Sequence, residues 1–335
     1  DQGFEVYLVE KTDILGGNGL NLKHTWSGEH IPTQVTKLID RVIGSDKITV
    51  HMNNQVTSVE GFVGNFRSTI TGKDRTRTII EHGAGVVATG GEAYVPSEYN
   101  YDSITGVVTA MQFDKLFELK EKHVKHSKRF VFIQCVGSRE ADNMYCSKVC
   151  CSHSVQSAIA LKKENPERSV YILYRDMRTY GQREALYSEA RKLGVIFINY
   201  ELHGKPKVTE EGQFIGVEVW DHVLHQPLKI QADMVVLATA IRPQPKGGDL
   251  AKLYKVAVDS QGFFQEAHAK LRPVDFSTDG MFVAGLAHYP KPVEESVAQA
   301  LAASARAATL LSKTEISLDA VKATVDEKYC DGCAL

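Results

Sequence analysis

Neither sign of charge is in excess in this 335-residue sequence: 39 Lys+Arg stand against 41 Asp+Glu, a net charge of −2. Binding to nucleic acid or to an anionic membrane surface calls for a basic surplus, so neither is expected. Long apolar runs are missing too. The most helix-like one, residues 297–311, is rich in Ala and broken by Arg306, which excludes a bilayer span. Proline is scarce at 10 residues, and there is no low-complexity stretch. No repeat of the roughly 20 to 50 residues used by solenoids is present either. Cysteine is also sparse. Six in the whole chain are too few for a disulfide scaffold, yet they are bunched. Cys135, Cys146, Cys150 and Cys151 share one short stretch, and Cys330 and Cys333 sit at the end. Such bunching suits metal or redox chemistry in a reducing compartment, here read as the cytoplasm.

What is present is enough apolar material, 43% of residues, for two sizeable cores. Short runs rich in Val and Ile read as strands at 5–10, 85–88, 129–134, 169–174, 233–238 and 280–284. Helical patterns fall between them, at 32–43, 110–120, 151–163, 183–192 and 292–311. This alternation predicts a doubly wound α/β architecture with parallel strands buried on both faces. Two stretches, 55–80 and 208–230, read instead as antiparallel meanders. The chain opens without Met at Asp1 and closes inside a cysteine pattern, so both ends read as cuts in a longer polypeptide. The lack of a signal peptide is then uninformative.

The first strand, Val6-Tyr7-Leu8-Val9, ends in Glu10 and Lys11. In a dinucleotide-binding βαβ unit the second strand ends this way, its carboxylate accepting ribose hydroxyls. Gly16, Gly17 and Asn18 follow, where absent side chains let backbone approach a pyrophosphate or a flavin ring. The G-x-G-x-x-G turn of such a unit would lie upstream of Asp1. Strands leading to Ala88-Thr89-Gly90 and Ala238-Thr239-Ala240 repeat one device, and Asp279-Gly280-Met281-Phe282-Val283-Ala284-Gly285 leads into Pro292 and an Ala-rich helix. In order and spacing these pieces resemble flavoproteins with two dinucleotide-binding domains, the thioredoxin-reductase and glutathione-reductase group. That resemblance implies FAD, with Asp279 on the ribityl chain and the last helix pointing its positive N-terminus at the flavin pyrimidine. It also assigns cofactor contacts to Val56, Ala287 and His288.

A second dinucleotide domain would place a glycine-rich loop after the strand 129–134. The sequence has Cys135-Val136-Gly137-Ser138 there, then Tyr145-Cys146-Ser147-Lys148-Val149-Cys150-Cys151. Four thiols so spaced have three readings. Zinc would take four thiolates, though zinc ribbons favour C-x2-C knuckles. A redox disulfide is a second, and a [4Fe–4S] cluster, which accepts irregular spacing, is the third and best fitting. Cys330-Asp331-Gly332-Cys333 begins a bacterial-ferredoxin run, or forms a zinc knuckle or thiol pair, and is a partial site either way.

The thiol-bearing segment Gln134-Cys135-Val136-Gly137-Ser138-Arg139 to Cys151, with Arg178-Thr179-Tyr180-Gly181 and the flavin motifs, resembles the A-type iron–sulfur flavoproteins of heterodisulfide reductase and their relatives. These relatives include flavin subunits of quinone-interacting oxidoreductases. The family pattern implies that Cys135, Cys146, Cys150 and Cys151 ligate one [4Fe–4S] cluster near FAD. It also implies partner subunits: heterodisulfide reductase B/C-like proteins, hydrogenase, formate dehydrogenase or quinone-linked modules, and ferredoxin. A homodimer is compatible with it. Two departures stand out. A ferredoxin insert found in many members between the Gly-Gly turn and the first Ala-Thr-Gly strand is absent. In addition, Gln156 stands where bifurcating members carry a Lys near the flavin, a departure that favours a simple electron relay.

The expected organisation is a first part of the FAD domain at 1–112, a second Rossmann-like domain carrying the thiols at 113–231, the rest of the FAD domain at 232–312, and a linker with the start of a ferredoxin-like module at 313–335. The expected activity is oxidoreductase, relaying electrons between FAD, iron–sulfur clusters and partners. The competing readings are a stand-alone FAD/NAD(P)H disulfide reductase and a zinc-stabilised scaffold without redox turnover. Arg175 and Arg178 occupy positions where NADP enzymes bind a 2′-phosphate, but without the glycine loop they read as structural or partner-facing.

Overall fold

A computed structural model describes residues 2–316, 325 and 328–330. In chain order it begins with β1 (Val6–Val9), α1 (Ile31–Ile43), β2 (Ile48–His51), a meander of β3 (Asn54–Phe62), β4 (Asn65–Gly72) and β5 (Arg77–His82), then β6 (Gly85–Val87) and β7 (Gly91–Ala93). Next come β8 (Val107–Thr109), α2 (Ala110–Glu118), α3 (Lys122–His126), β9 (Arg129–Val136), α4 (Cys150–Glu164), β10 (Ser169–Tyr174), α5 (Glu184–Lys192) and β11 (Ile196–Asn199). A second meander, β12 (Lys207–Glu211), β13 (Phe214–Asp221) and β14 (Gln226–Ala232), precedes β15 (Met234–Thr239). The chain then forms β16 (Ile241–Pro243), α6 (Gly247–Tyr254), β17 (Met281–Val283) and α7 (Val293–Leu311).

The middle of the chain is a parallel five-stranded sheet in the order β11-β10-β9-β15-β8. Its central strands are continuous apolar runs because both faces are covered. Val131, Ile133, Val235 and Leu237 face the second meander, while Phe130, Phe132, Met234 and Val236 face α2, α4 and α5. Phe130, Ile133 and Leu237 are fully buried, and each such side chain contributes about 1.5–3 kcal/mol. This sheet is wider than the expected 113–231 segment, since β8 and β15 belong to it. Residues 234–239 fall in the segment expected to belong to the FAD domain, yet this apolar run is the strand next to β9.

The remainder is built on two parallel pairs, β1–β2 and β6–β17. The meander β3–β5 packs through Val63 and Phe66 against Val87, Phe276, Met281 and Val283. Among the described residues, β1 and β6 each keep one unpaired edge, and Val6, Tyr7 and Val86 are exposed there. Gly16 lies under α1: a Cβ there would meet the Val35 Cγ1 at 2.8 Å, and its φ of 103° is left-handed, so only Gly serves. The two halves are joined by the antiparallel pair β7–β16, which registers Gly91 against Pro243 and Ala93 against Ile241.

Candidate functional site

The first site is the loop between β9 and α4. Cys135, Cys146, Cys150 and Cys151 line one small pocket together with Ser138, Arg139, Ser147, Lys148, Asp176 and Arg178. Backbone strain gathers there. Cys135, Arg139 and Lys148 have φ of 63°, 57° and 66°, and Gly137 73°. Non-glycine residues held left-handed are uncommon and cluster at functional sites. The loop is held by its surroundings: Arg175 donates to the carbonyls of Ser138 (2.7 Å) and Arg139 (2.8 Å), Tyr145 donates its hydroxyl to the Ile241 carbonyl (2.7 Å), and the Ile241 N–H donates to Ser147 Oγ (2.9 Å). Arg175 is therefore a loop support.

Donors already reach the sulfurs. The Lys148 N–H lies 3.3 Å from Cys146 Sγ and Arg139 Nη1 3.9 Å from Cys135 Sγ. Asp176 pairs with Arg139 and, at 3.6 Å, with Arg178. Burial, followed by the neighbouring sulfurs, pushes the Cys150 thiol well up. Burial likewise pushes Cys151 up to about 11, against the backbone bond from Arg178. Thiols raised this way are poor free nucleophiles, whereas metal ligation removes their protons outright. The five described cysteines are free thiols. Among the described residues no three His, Cys, Asp or Glu side chains are drawn around one point as ligands of a single metal ion. Cys330 is exposed, and Cys333 lies outside the described residues.

The second site is where strands β1, β6 and β17 end. Glu10 accepts from the Thr12 N–H and hydroxyl, both at 2.8 Å, and Lys11 donates to Gln244 Oε1 at 2.7 Å. Asn18 Nδ2 donates to the Gly91 carbonyl at 3.0 Å, which ties the Gly16–Asn18 turn to the start of β7, just beyond the Ala88–Gly90 turn. Ala88 and Thr89 are exposed along this edge, and Gly90 (φ 76°) has open space where a Cβ would stand. Val56 lies two residues beyond Asn54, whose N–H donates to the Glu10 carbonyl at 2.9 Å. β6 and β17 run parallel, so the loop from Gly285 to Lys291 emerges at the same end as Ala88–Gly90. Ala287 is buried, its carbonyl accepting from Phe264.

Asp279 departs from expectation. It precedes β17, at the opposite end of the strand from the loop just described. Its exposed carboxylate pairs with Arg272 at 3.2 Å beside an open pocket lined by Asp275 and Arg306. Asp279 is thus set apart, by the length of β17, from the residues that follow β6 and β17.

Residues that the sequence did not single out fill the loop instead. Lys291, buried, donates to the carbonyls of Gly285 (2.7 Å) and Tyr289 (2.9 Å) and lies 3.5 Å from His288 Nδ1. Gln299 Nε2 donates to that same Nδ1 at 2.7 Å, while its Oε1 accepts from the Gly285 N–H. With Nδ1 accepting, His288 Nε2–H donates to Glu266 at 2.7 Å. Burial, above all, lowers the His288 pKa. The only sequence signal for Lys291 is a charge set between two prolines in an otherwise small and apolar stretch.

The two sites touch. Tyr289 donates its hydroxyl to the Cys146 carbonyl at 3.4 Å, and Tyr145, Phe263 and Tyr289 form one aromatic cluster with centroids 5.3–6.5 Å apart. Lys148 pairs with Glu295 and Arg183 with Glu294 (2.7 Å), joining the thiol loop and its flank to the first turn of α7. Those two carboxylates offset the positive end of the helix. Gln156 donates to the Thr25 carbonyl at 2.8 Å. His153 is turned to Asp114 (2.6 Å); burial would lower its pKa, but the Asp114 charge and hydrogen bond raise it overall.

No protein-family model matches the chain. In fold it is similar to thioredoxin reductase from Lactococcus lactis (TM-score 0.61, 14% identity, 92% of this chain and 100% of that one) and to thioredoxin reductase from T. acidophilum (TM-score 0.57, 17% identity, 92% and 90%). In sequence it is 28% identical over 429 aligned positions to the A-type iron–sulfur subunit of CoB–CoM heterodisulfide reductase from Methanocaldococcus jannaschii, covering 99% of this chain and 64% of that protein. It is 35% identical over 272 positions to the A-type subunit of the H2:CoB–CoM heterodisulfide,ferredoxin reductase of Methanothermobacter marburgensis, covering 76% of this chain and 41% of that protein. The chain thus spans just under two thirds of the length of the curated relatives it matches over nearly all of its own residues. Along 99% of its length the chain is similar in sequence to A-type heterodisulfide reductase subunits, and its fold is thioredoxin-reductase-like.

Proposed function

We propose that this chain is the flavin- and iron–sulfur-bearing core of an electron-transfer oxidoreductase, passing electrons between FAD, one [4Fe–4S] cluster and partner subunits in the cytoplasm. The observation that carries the reading is the convergence of four thiols on one pocket that touches the loop after β17. The donor set fits a cluster: four cysteines, three cationic side chains around them, and an N–H and a guanidinium aimed at sulfur. Cluster potentials respond to such hydrogen bonds and charges. Cys135, Cys146, Cys150 and Cys151 would hold the cluster; Glu10, Gly16, Gly17, Asn18, Ala88, Thr89, Gly90 and the 285–288 loop would hold FAD, with Lys11, Val56, Ala287 and His288 bordering it. The cofactors supply one- and two-electron chemistry when bound. The protein's share is placement. Arg175, Tyr145 and Ser147 fix the thiol loop, and Tyr289 links it to the flavin-side loop.

The domain division that goes with this function is an FAD-binding unit formed by both ends of the chain and a thiol-bearing Rossmann-like unit between them. Relatives are named as subunits of heterodisulfide,ferredoxin reductases, which supports partner proteins of that redox class. Cys330 and Cys333 would begin a further ferredoxin-type site.

The test is metal and flavin analysis of anaerobically purified protein. The expected result is about four Fe and one FAD per chain, with iron lost when Cys135, Cys146, Cys150 or Cys151 is changed to Ser. Zinc without iron would overturn the cluster assignment in favour of a scaffold. Bleaching of the flavin by NADH alone would favour a stand-alone disulfide reductase.

A further inference from the structure

Lys291 is a buried cation with no carboxylate in contact among the described residues. Its nearest partners are two carbonyls of its own loop and the ring of His288. Its counter-charge sits one residue further off: Glu266 bonds His288, and His288 faces Lys291. Burying an ammonium without a direct partner is costly, so a structural use alone would favour a neutral residue. Glu295 and Lys148 are the other charges acting on it, and Asp259 acts on His288. Burial, followed by the Lys148 charge, brings Lys291 down to about 8, which leaves it protonated at neutral pH. The carbonyls it ties are at the start and near the end of the segment Gly285–Tyr289. Gln299 fixes the Gly285 N–H from the other side. The loop is thereby closed on itself around a positive charge, at the strand end where the proposed FAD contacts gather.

We propose that Lys291 is a positioning residue for the cofactor: it shapes the Gly285–Tyr289 loop and keeps one buried positive charge behind it, which favours reduced over oxidised FAD, with Glu266 setting how much of that charge is felt. This rests on the FAD reading above. Two-electron reduction of FAD with uptake of one proton from water leaves one extra negative charge. A fixed cation nearby stabilises that form, and a fixed anion opposes it. No bond is made or broken by Lys291.

The test uses the purified protein reconstituted with FAD, titrated at pH 7 with dithionite against a reference dye, alongside FAD affinity measured by fluorescence quenching. Lys291→Met is expected to weaken the preference for reduced FAD about tenfold, a midpoint about 30 mV lower for a two-electron couple. Glu266→Gln is expected to shift the midpoint the opposite way, and Lys291→Arg to stay within threefold of wild type. Opposite signs are the informative result, because a merely structural defect would move both variants together. Should Lys291→Met fail to fold, Glu266→Gln and Lys291→Arg still decide the matter. An unchanged midpoint in Lys291→Met, or shifts of the same sign in both variants, overturns the inference while leaving FAD in place. Wild-type protein that takes up no FAD overturns the underlying reading instead.

Discussion

Gly137 offers a direct test of how tightly the thiol loop is held. It lies two residues after Cys135 with a φ of 73°, and a Cβ built there would meet the ring of Tyr94 at 2.3, 2.5 and 3.0 Å. Tyr94 cannot swing away freely: its hydroxyl donates to Glu98 at 3.1 Å and Arg242 lies 4.8 Å above its ring. Gly137→Ala therefore carries two costs. The left-handed backbone costs about 1–2 kcal/mol for an L-residue, and displacing a ring from a filled space costs about 1–3 kcal/mol more. Gly181 separates them. Its φ is 63°, but nothing lies within 4 Å of its added Cβ, so Gly181→Ala carries only the backbone cost. Urea unfolding followed by far-ultraviolet circular dichroism should show Gly137→Ala destabilised by about 2–5 kcal/mol, at least ~1 kcal/mol more than Gly181→Ala. Iron content after anaerobic reconstitution should fall in the first variant only. Equal losses in the two variants would refute the close approach of Tyr94 to the loop.

Other outcomes follow from the same geometry. Arg306 reaches the buried Asp275 through two nitrogens at 2.9–3.3 Å, while Arg272 stands 3.7 Å away. Arg306→Met leaves a buried carboxylate with one distant cation and should cost about 2–3 kcal/mol, more than Asp275→Asn, whose arginine turns to water; thermal melts rank the two. His82 donates Nδ1–H to the Ala84 carbonyl and accepts at Nε2 from Ser68, and burial holds its pKa below the ordinary 6.5. Its folded form resists the proton that the unfolded chain accepts, so stability is lost as pH falls through 6.5 toward the lowered value. The melting-point advantage of wild type over His82→Gln should shrink between pH 7.5 and 5; a constant difference would contradict this. The Lys148–Glu295 pair is one-third exposed on both sides, so a double-mutant cycle with Lys148→Met and Glu295→Gln should give a coupling below about 1 kcal/mol, smaller in high salt.

The sequence made the α/β alternation, both meanders and the thiol cluster legible, because each depends on local pattern. Apolar runs such as 130–133 and 234–237 identify buried parallel strands. What such runs do not reveal is which sheet a strand joins. Residues 234–239 end in Ala-Thr like residues 88–89, yet the first set lies inside the five-stranded sheet and the second at an exposed edge. Asp279 illustrates the same limit. Proximity to a strand does not say at which end the side chain lies, and here three strand residues separate it from the loop that follows β17. Lys291 escaped notice for another reason: its partners are backbone carbonyls and a histidine, and carbonyl contacts leave no trace in residue type. Gln156 shows how context redirects a position, since its amide is spent on the Thr25 carbonyl from the N-terminal loop.

The clamp at the start of α7 has a consequence for how the two halves work together. Glu294 and Glu295 come from the half that would carry the flavin, whereas Arg183 and Lys148 come from the half that carries the thiols. Tyr180 adds its hydroxyl to Glu295 at 2.7 Å, and Tyr145 reaches across to Ile241. Rotating one half against the other would strip these groups of their partners together. Each contact is individually weak, but they share one seam, so any rotation has to break them together while the intact seam keeps the distance between the two sites fixed.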